Sequence, residues 1–402
     1  MQILVKNGTL VNQGRIRKAD ILISDSVVRR IADSISEDAD IVINAVGMYI
    51  FPGFIDLHAH FRDPGLTYKE DIESGEKAAA AGGFTTVCVM PNTKPVTDTN
   101  EKIRYVLNKA GLINVLPFGS VTKNQAGLEL ADLAGMTDAA GFSEDGKTVV
   151  NAGVMRAALF ECVRLGKTMF SHCEDVTLID YDDIYGGNPN MSEDVIIARD
   201  IVMARELSAK LHICHVSTRS GVDIIRSAKS LGVSVTAEAT PHHLTLCRDD
   251  IVKGDSNYKM NPPLRSREDR DALVEALKDG TIDAIATDHA PHSESEKGSD
   301  YKNALNGIIG LETAFPLSLG LGLPLETLAR RMSETPAKIL GIDKGRIAEG
   351  KVADLTIADI NEEYNIPDKF YSKARNTPFI GKKVRGRIKY TICNGKIAFR
   401  IP

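Results

Sequence analysis

The sequence has no tryptophan, no pair of cysteines spaced C-x-x-C, and no apolar run of the roughly 18 residues that a membrane helix needs. Six cysteines in 402 residues are too few for a fold built on disulfides, and their spacing argues against a zinc ribbon. The first residues, MQILVKNGTLVNQG, lack the basic and apolar regions of a signal peptide. We therefore expect reduced thiols and a cytoplasmic protein without a membrane segment.

The sequence also has little excess charge of either sign. Its 49 Lys and Arg against 54 Asp and Glu give a net charge of -5, which argues against a surface that coats nucleic acid. A hydrophobic fraction of 43% with 26% charged residues is that of a globular protein. No G-x-G-x-x-G follows the first strand and no P-loop occurs, so a dinucleotide-binding fold is disfavoured.

The two ends of the chain have the pattern of β-hairpins, whereas the middle alternates helices and strands. Turn signals such as Asn7-Gly8 and Asn394-Gly395 separate short β-branched runs near both termini. In the middle, a helical segment at 72–81 is followed by the apolar run 84–90, which is typical of a buried parallel strand. Five further helix–strand pairs follow. This alternation predicts a parallel α/β sheet, either open or closed.

Polar residues at the ends of several predicted strands favour the closed form. They are His58, His60, Asn92, His172, His215 and Asp288. In a (β/α)8 barrel the functional side chains come from the carboxyl ends of several different strands, whereas an open sheet gathers its site at one crevice. Five separate strand ends with such residues therefore predict a barrel.

The pair His58 and His60 is the strongest indication of a metal site. Residues i and i+2 of a strand lie on one face, about 6.5–7 Å apart, so two imidazoles in this spacing can bind one divalent ion. Asp288 ends a very apolar strand, where an unpaired carboxylate is costly, so we expect a metal or another cation beside it. The alternative is a set of structurally hydrogen-bonded polar side chains. We interpret four other histidines in that way: His212, His242, His243 and His289.

A pair of metals would need a bridging anion in addition to these ligands. The segment 141–147, GFSEDGK, offers Glu144, Asp145 or a carboxylated Lys147, although an ordinary acidic turn has the same composition. Cys173 either lines a second metal position or is a packed thiol. The loop 180–193 is either a lid or a contact surface.

Five motifs give the chain a resemblance to a known family. DLHAHFRDPG at 56–65, VMPNT at 89–93 and ATDHAPH at 286–292 are similar to three signatures of that family, and 259–265 and 306–313 fit it as well. On these motifs the chain resembles the amidohydrolase superfamily, and within it the dihydroorotases of the long, class I type. The resemblance covers essentially the whole chain.

The resemblance implies both a fold and an activity. The fold is a (β/α)8 metal-dependent hydrolase barrel at 53–343 with a small β-sandwich domain formed by 1–52 plus 344–402. The activity is the reversible cyclisation of N-carbamoyl-L-aspartate to L-dihydroorotate in pyrimidine (UMP) biosynthesis. The implied cofactor is zinc, one or two ions per subunit, with a metal-bridged hydroxide as the nucleophile.

The resemblance also implies the roles of individual residues. It implies that His58, His60 and Asp288 bind one metal and that His172 and His215 bind the second. Asp145 is implied to be the ligand that bridges the two metals. Other branches of the family use a carboxylated lysine as the bridge, so Lys147 stays an alternative to Asp145. Asp288 is in addition expected to act as the general acid and base.

Substrate recognition is expected to centre on Arg62, which can hold a carboxylate bidentately. A surface ion pair with Asp63 or Asp71 is the alternative role for this arginine. The resemblance implies further contacts, by hydrogen-bonding side chains or backbone, from Asn92, Asn261, His292, Asn306 and Gly307.

Two other functions remain open beside dihydroorotase. An allantoinase or hydantoinase would share the barrel and the histidines but often has no substrate carboxylate to bind, so Arg62 and Asn92 favour dihydroorotase. A non-catalytic scaffold, for instance for aspartate transcarbamoylase, would have lost metal ligands that this chain retains. The expected partner is thus a small molecule and not nucleic acid or a membrane. A homodimer and an association with aspartate transcarbamoylase stay open.

Overall fold

The computed structural model describes residues 1–183, 188–298 and 300–401. Within these ranges the strands are β1 Gln2–Asn12, β2 Arg15–Ser24, β3 Val27–Ala32, β4 Ile41–Asn44, β5 Tyr49–Pro52, β6 Phe54–Ala59, β7 Phe84–Val89, β8 Asn114–Pro117, β9 Gly119–Ser120, β10 Phe142–Ser143, β11 Met169–Ser171, β12 Leu211–Ile213, β13 Val235–Ala239, β14 Ala284–Ile285, β15 Leu355–Asn365, β16 Lys383–Cys393 and β17 Lys396–Arg400. The α-helices are α1 Ile72–Ala81, α2 Asn100–Lys109, α3 Ala152–Leu165, α4 Asn190–Leu207, α5 Arg219–Ser230, α6 Pro241–Thr245, α7 Arg267–Asp279, α8 Glu294–Lys297, α9 Ala314–Leu319, α10 Leu325–Ala329 and α11 Thr335–Leu340.

Strands from both ends of the chain form one mainly antiparallel sheet. Its order is β17-β16-β15-β5-β1-β2-β3, with β4 beside β1. The N-terminal and C-terminal halves meet where β5 pairs antiparallel with β15. These strands share an apolar core to which Ile3, Ile21, Ile50, Leu355 and Ile392 contribute, all fully buried. The predicted small β-sandwich made from both termini is confirmed.

The middle of the chain forms the predicted parallel barrel. The strands β6-β7-β8 and β9 to β14 pair in parallel, and β8 and β9 are two parts of one strand interrupted at Phe118. The first and last strands join where the backbone N–H of His60 donates to the carbonyl of His289 at 2.8 Å. Eight strands therefore close the barrel, and their carboxyl ends meet on one side of it.

Local sequence signals explain where the barrel helices begin and end. Asp71 caps α1 by accepting from the N–H of Ser74, and α1 ends at Gly82. Its bounds are those that the sequence predicted. The last barrel strand is shorter than the predicted 282–288, because Thr287 turns to donate two hydrogen bonds to Asp56 instead of extending the ladder. Among the described residues, no helix is long and apolar enough to cross a membrane.

Candidate metal centre and active site

The first group of predicted metal ligands lies at the carboxyl ends of the barrel strands. His58 Nε2 is 3.3 Å from Asp145 Oδ1 and 3.5 Å from Asp288 Oδ1. His60 Nε2 is 3.1 Å from the same Asp288 oxygen and 3.4 Å from Asp145 Oδ2. All four side chains are buried. Two imidazoles and two carboxylates therefore converge around one point.

A second group shares Asp145 with the first. His172 Nδ1 lies 2.9 Å from His215 Nε2 and 3.3 Å from Asp145 Oδ1. His215 Nε2 is also 3.3 Å from that oxygen. The three ligand atoms lie within 4.8 Å of one another, as do those of His58, His60 and Asp145. The Asp145 carboxylate thus contributes to both groups, which is the arrangement that a bridging ligand requires.

The hydrogen bonds of His58 and His60 indicate whether this cluster can hold a cation. Glu238 accepts a hydrogen bond from His58 Nδ1 at 2.8 Å, and Asn92 Oδ1 accepts one from His60 Nδ1 at 2.9 Å. Each ring then presents the lone pair of Nε2 to the carboxylates. His58 Nε2 is moreover buried and has no hydrogen-bond partner among the described residues. Lone pairs and carboxylates at this spacing repel one another unless a cation lies between them, so the residues fit a divalent metal with imidazole and carboxylate ligands.

Three residues of the site have a left-handed backbone, which is uncommon outside glycine. Their φ angles are 58° at Arg62, 31° at His215 and 46° at Asp288. Each such residue costs on the order of 1–3 kcal/mol and persists only where its surroundings hold it. Beside Asp288, Asp56 provides such a hold by accepting from both the N–H and the hydroxyl of Thr287 at 2.9 and 2.6 Å.

Lys147 and Glu144 are the two alternatives to Asp145 as a bridging ligand, and both side chains have other partners. The Lys147 side chain is directed to the carbonyl of Gln125, to which Nζ donates at 2.8 Å. Glu144 is buried, but its carboxylate accepts from the N–H and the hydroxyl of Thr122. Of the three candidates in this segment, Asp145 is the one that faces the histidines.

The remaining alternatives of this region concern a thiol and a loop. Cys173 is buried, with Sγ 3.6 Å from the carbonyl oxygen of Ser171. The loop 180–193 is described only in part, because residues 184–187 lie outside the described residues. Asp180 and Tyr181 line a cavity of about 380 Å³ that also has Asn261 in its wall.

A cavity of about 170 Å³ lies directly at the candidate metal ligands. The structure brings all the predicted substrate residues into its lining, namely Arg62, Asn92, Asn261, His292, Asn306 and Gly307. The candidate metal ligands His60 and Asp288 line the same cavity. A space of this size admits only a small substrate.

Among the residues that the structure describes, Arg62 is the only lysine or arginine in the lining of this cavity. The side chain is buried, and Nε donates to the carbonyl of Pro291 at 3.3 Å. The carboxylates proposed as alternative ion-pair partners are engaged with other cations, Asp63 with Lys109 and Asp71 with Lys373. The guanidinium is therefore a buried positive charge beside the candidate metal centre.

His292 lines the cavity, but its ring has protein partners on both sides. Nε2 donates to the carbonyl of Asn306 at 2.8 Å, and Nδ1 accepts from Lys69 Nζ at 3.2 Å. Burial and the charges of Arg62 and Lys69 lower the pKa of His292 to about 3, so the ring is neutral. In the structure the ring supports the Asn306 backbone, and a direct contact with substrate stays a prediction.

The four histidines interpreted as structural do not belong to the two ligand groups. His212 Nε2 is 3.0 Å from Glu238, His243 Nε2 donates to the carbonyl of Pro262 at 2.9 Å, and His289 Nε2 is 3.2 Å from Glu70. His242 is also buried, and in the part of the chain that the structure describes its Nε2 has no hydrogen-bond partner. Burial lowers its pKa to about 4, so this ring too is neutral.

Sequence reasoning did not identify Glu238, which lies inside β13 and is fully buried. One of its oxygens binds His58 and the other binds His212. Although burial raises its pKa, the hydrogen bonds from these two rings lower it to about 2, so Glu238 is ionised. A glutamate within an apolar strand was the available signal, because a buried carboxylate needs partners.

Comparison with known proteins gives a family and several relatives. The sequence model of the Amidohydrolase family matches residues 49–398. A dihydroorotase of Bacillus cereus (strain AH820) is 44% identical, with 100% of this chain and 99% of the relative covered. A dihydroorotase of Ruminiclostridium cellulolyticum is 45% identical, with 98% of each chain covered.

A solved structure has the same fold over nearly the whole chain. It is the L-hydantoinase (dihydropyrimidinase) from Arthrobacter aurescens, with a TM-score of 0.89 and 30% identity. The alignment covers 98% of this chain and 95% of the other. This chain thus shares its fold with a protein whose title names another activity, that of a hydantoinase (dihydropyrimidinase).

Proposed function

The chain belongs to the amidohydrolase family, and we propose that it is a zinc-dependent dihydroorotase. It is an enzyme, a metal-dependent hydrolase that acts on a cyclic amide. In the proposed reaction it interconverts N-carbamoyl-L-aspartate and L-dihydroorotate, a step of pyrimidine biosynthesis. Full-length similarity at 44–45% identity to proteins named dihydroorotase supports this choice of substrate.

The observation that carries the proposal is the buried guanidinium of Arg62 in the cavity beside the metal ligands. Both proposed substrates carry a carboxylate that takes no part in the reaction, and in L-dihydroorotate it is attached to a ring carbon away from the C–N bond that is made or broken. A desolvated arginine binds a carboxylate with charge-assisted hydrogen bonds. A neutral cyclic amide offers this buried charge no carboxylate, so these charge-assisted hydrogen bonds to the substrate would not form.

The proposed zinc ligands divide into two positions. His58, His60 and Asp288 would hold an ion at one position, His172 and His215 would hold one at the other, and Asp145 could contribute to both. Imidazole nitrogen and carboxylate oxygen are ligands that suit zinc. The bound metal supplies a nucleophilic water at neutral pH and polarises the amide carbonyl.

Asp288 is the proposed general acid and base. Its carboxylate lies at the metal ligands and lines the cavity, so it is within reach of both the attacking water and the ring nitrogen. In hydrolysis Asp288 takes the proton of the attacking water and transfers it to the leaving nitrogen. Arg62 meanwhile holds the carboxylate and so fixes the orientation of the ring.

The proposal includes a domain division and a location. We assign 1–52 plus 344–402 to the β-sandwich and 53–343 to the barrel, because β5 ends at Pro52 and β6 begins at Phe54. Six unpaired cysteines, all buried, support a reducing, cytoplasmic environment. A homodimer and an association with aspartate transcarbamoylase stay predictions.

A substrate panel combined with metal analysis tests the proposed function. Purified enzyme is assayed on L-dihydroorotate, hydantoin and allantoin, and its zinc content is measured in the same preparation. We expect turnover of dihydroorotate and one or two zinc ions per chain. Turnover of hydantoin or allantoin alone would overturn the assignment. Absence of metal together with absence of any turnover would instead support a scaffold.

A further inference from the structure

Two backbone segments line the substrate cavity with uncharged residues. One contains Asn261, and the other contains Asn306 and Gly307. They are joined directly by the N–H of Gly307, which donates to the carbonyl of Lys259 at 3.0 Å. A substrate that binds between them depends on their spacing.

Lys297, at the end of the short helix α8, lies behind these segments and is buried. Its Nζ donates to three backbone carbonyls: Lys259 at 3.0 Å, Leu305 at 3.0 Å and Gly307 at 3.1 Å. One ammonium group thus ties both segments together at a single point. Burial lowers the pKa of Lys297 to about 7, and in its ammonium form the side chain has three N–H donors, one for each of these carbonyls.

Neighbouring contacts leave the second segment little freedom to adopt another shape. The carbonyl of Asn306 accepts from His292 Nε2, and the carbonyl of Gly307 accepts a second hydrogen bond from Asn376 Nδ2 at 3.0 Å. Since the carbonyls of 305, 306 and 307 all bind side chains, the backbone here is fixed from outside the cavity. Lys297 is the member of this set that also reaches the first segment.

We propose that Lys297 is a positioning residue for substrate binding, which holds 259–261 and 305–307 at the spacing in which Asn261 and Gly307 line the cavity. This inference rests on the proposed function. It adds a residue that touches neither the substrate nor the metal and acts through the backbone. Without the ammonium, three carbonyls lose a donor and the binding-competent spacing becomes less populated. Apparent affinity falls in proportion to that population, whereas turnover of bound substrate is retained.

The test compares Lys297→Met, Lys297→Gln and Lys297→Arg with the wild type as full-length enzyme. We expect KM to rise at least about tenfold in the Met variant, with kcat within about twofold. The Gln variant, one atom shorter with two donors, should lie between, and the Arg variant should recover most of the affinity. Lys229→Met is the matched control, because Lys229 Nζ also donates to a backbone carbonyl, that of Gly280, away from the cavity.

Hydrogen exchange of the Gly307 amide gives a readout that needs no substrate. We expect faster exchange at 305–307 in Lys297→Met than in both the wild type and Lys229→Met. If Lys297→Met does not fold, KM and hydrogen exchange are measured for Lys297→Gln instead. An unchanged KM with only a lower melting temperature would overturn the proposal, as would a loss of kcat at unchanged KM.

The two proposals fail separately. If the wild type acts on another cyclic amide of the panel, the proposed substrate is wrong, and the Lys297 series is then measured on that amide. Unchanged exchange at 305–307 in the variants contradicts the positioning role whatever the substrate is.

Discussion

The carboxylate of Glu238 binds Nδ1 of His58 at 2.8 Å, so the opposite ring nitrogen is turned toward Asp145. A residue in the middle of one barrel strand thereby sets the tautomer of a proposed metal ligand on another. The same carboxylate accepts a hydrogen bond from the backbone N–H of His215 at 3.3 Å, so it supports a residue of each of the two ligand groups.

Glu238→Ala is therefore expected to weaken metal binding. Loss of a partner that orients a metal ligand typically lowers the metal affinity about 10–100-fold. Glu238→Gln keeps one acceptor oxygen, so its metal affinity should fall less. A competition titration with a chromophoric chelator measures the affinity. Glu275→Gln, on the surface of α7 with a side chain 67% exposed, is the control. An unchanged metal affinity in Glu238→Ala would mean that His58 does not need the hydrogen bond to Glu238 in order to bind metal.

Asp288→Asn is expected to abolish most turnover while the protein stays folded. Asparagine tolerates the left-handed backbone at this position, where φ is 46°, so the change mainly removes a proton acceptor. General acid–base catalysis contributes about 10²–10⁴-fold, and kcat should fall by that order. Steady-state kinetics and metal content are measured together. Near wild-type kcat in the variant that retains metal would contradict the proton-transfer role.

Arg62→Met is expected to act mainly on KM for dihydroorotate. A hydrogen bond to a charged group is worth about 1.5–3 kcal/mol, which corresponds to a rise of roughly 10- to 150-fold. Arg62→Lys has the same backbone strain and keeps the charge, so the comparison separates strain from carboxylate binding. Initial rates across substrate concentrations give the split between KM and kcat. A KM that does not change in Arg62→Met would place the carboxylate elsewhere.

Gly307→Ala is expected to damage the cavity. At φ 150° a Cβ atom would lie 2.6 Å from the carbonyl oxygen of Ala290 and 2.8 Å from the ring of His292. Both neighbours would have to move, at a cost of about 1–3 kcal/mol for such overpacking, and kcat/KM should fall. Gly322→Ala is the control, since Gly322 also has positive φ but no atom within 4 Å of the added Cβ. Equal kinetics for the two variants would exclude a special role of Gly307.

The sequence by itself determined the architecture and most of the candidate site. Alternating helices and apolar strands lead to a parallel sheet because each strand must be followed by a crossover, and polar residues at five strand ends favour its closure into a barrel. Polar residues at strand ends then meet on one side of it. These local patterns were sufficient to predict that His58, His172, His215 and Asp288 lie close together, although they are far apart in the chain.

Only the tertiary structure decided which partner each of these side chains has. The contact between His58 and Glu238 joins residues 180 positions apart, and it depends on strand neighbours and their register. In the same way Asn92 supports His60, and Lys297 on a polar helix turns inward to three carbonyls. Such contacts are set by the packing of the whole barrel. A local pattern of residue types contains no information on them.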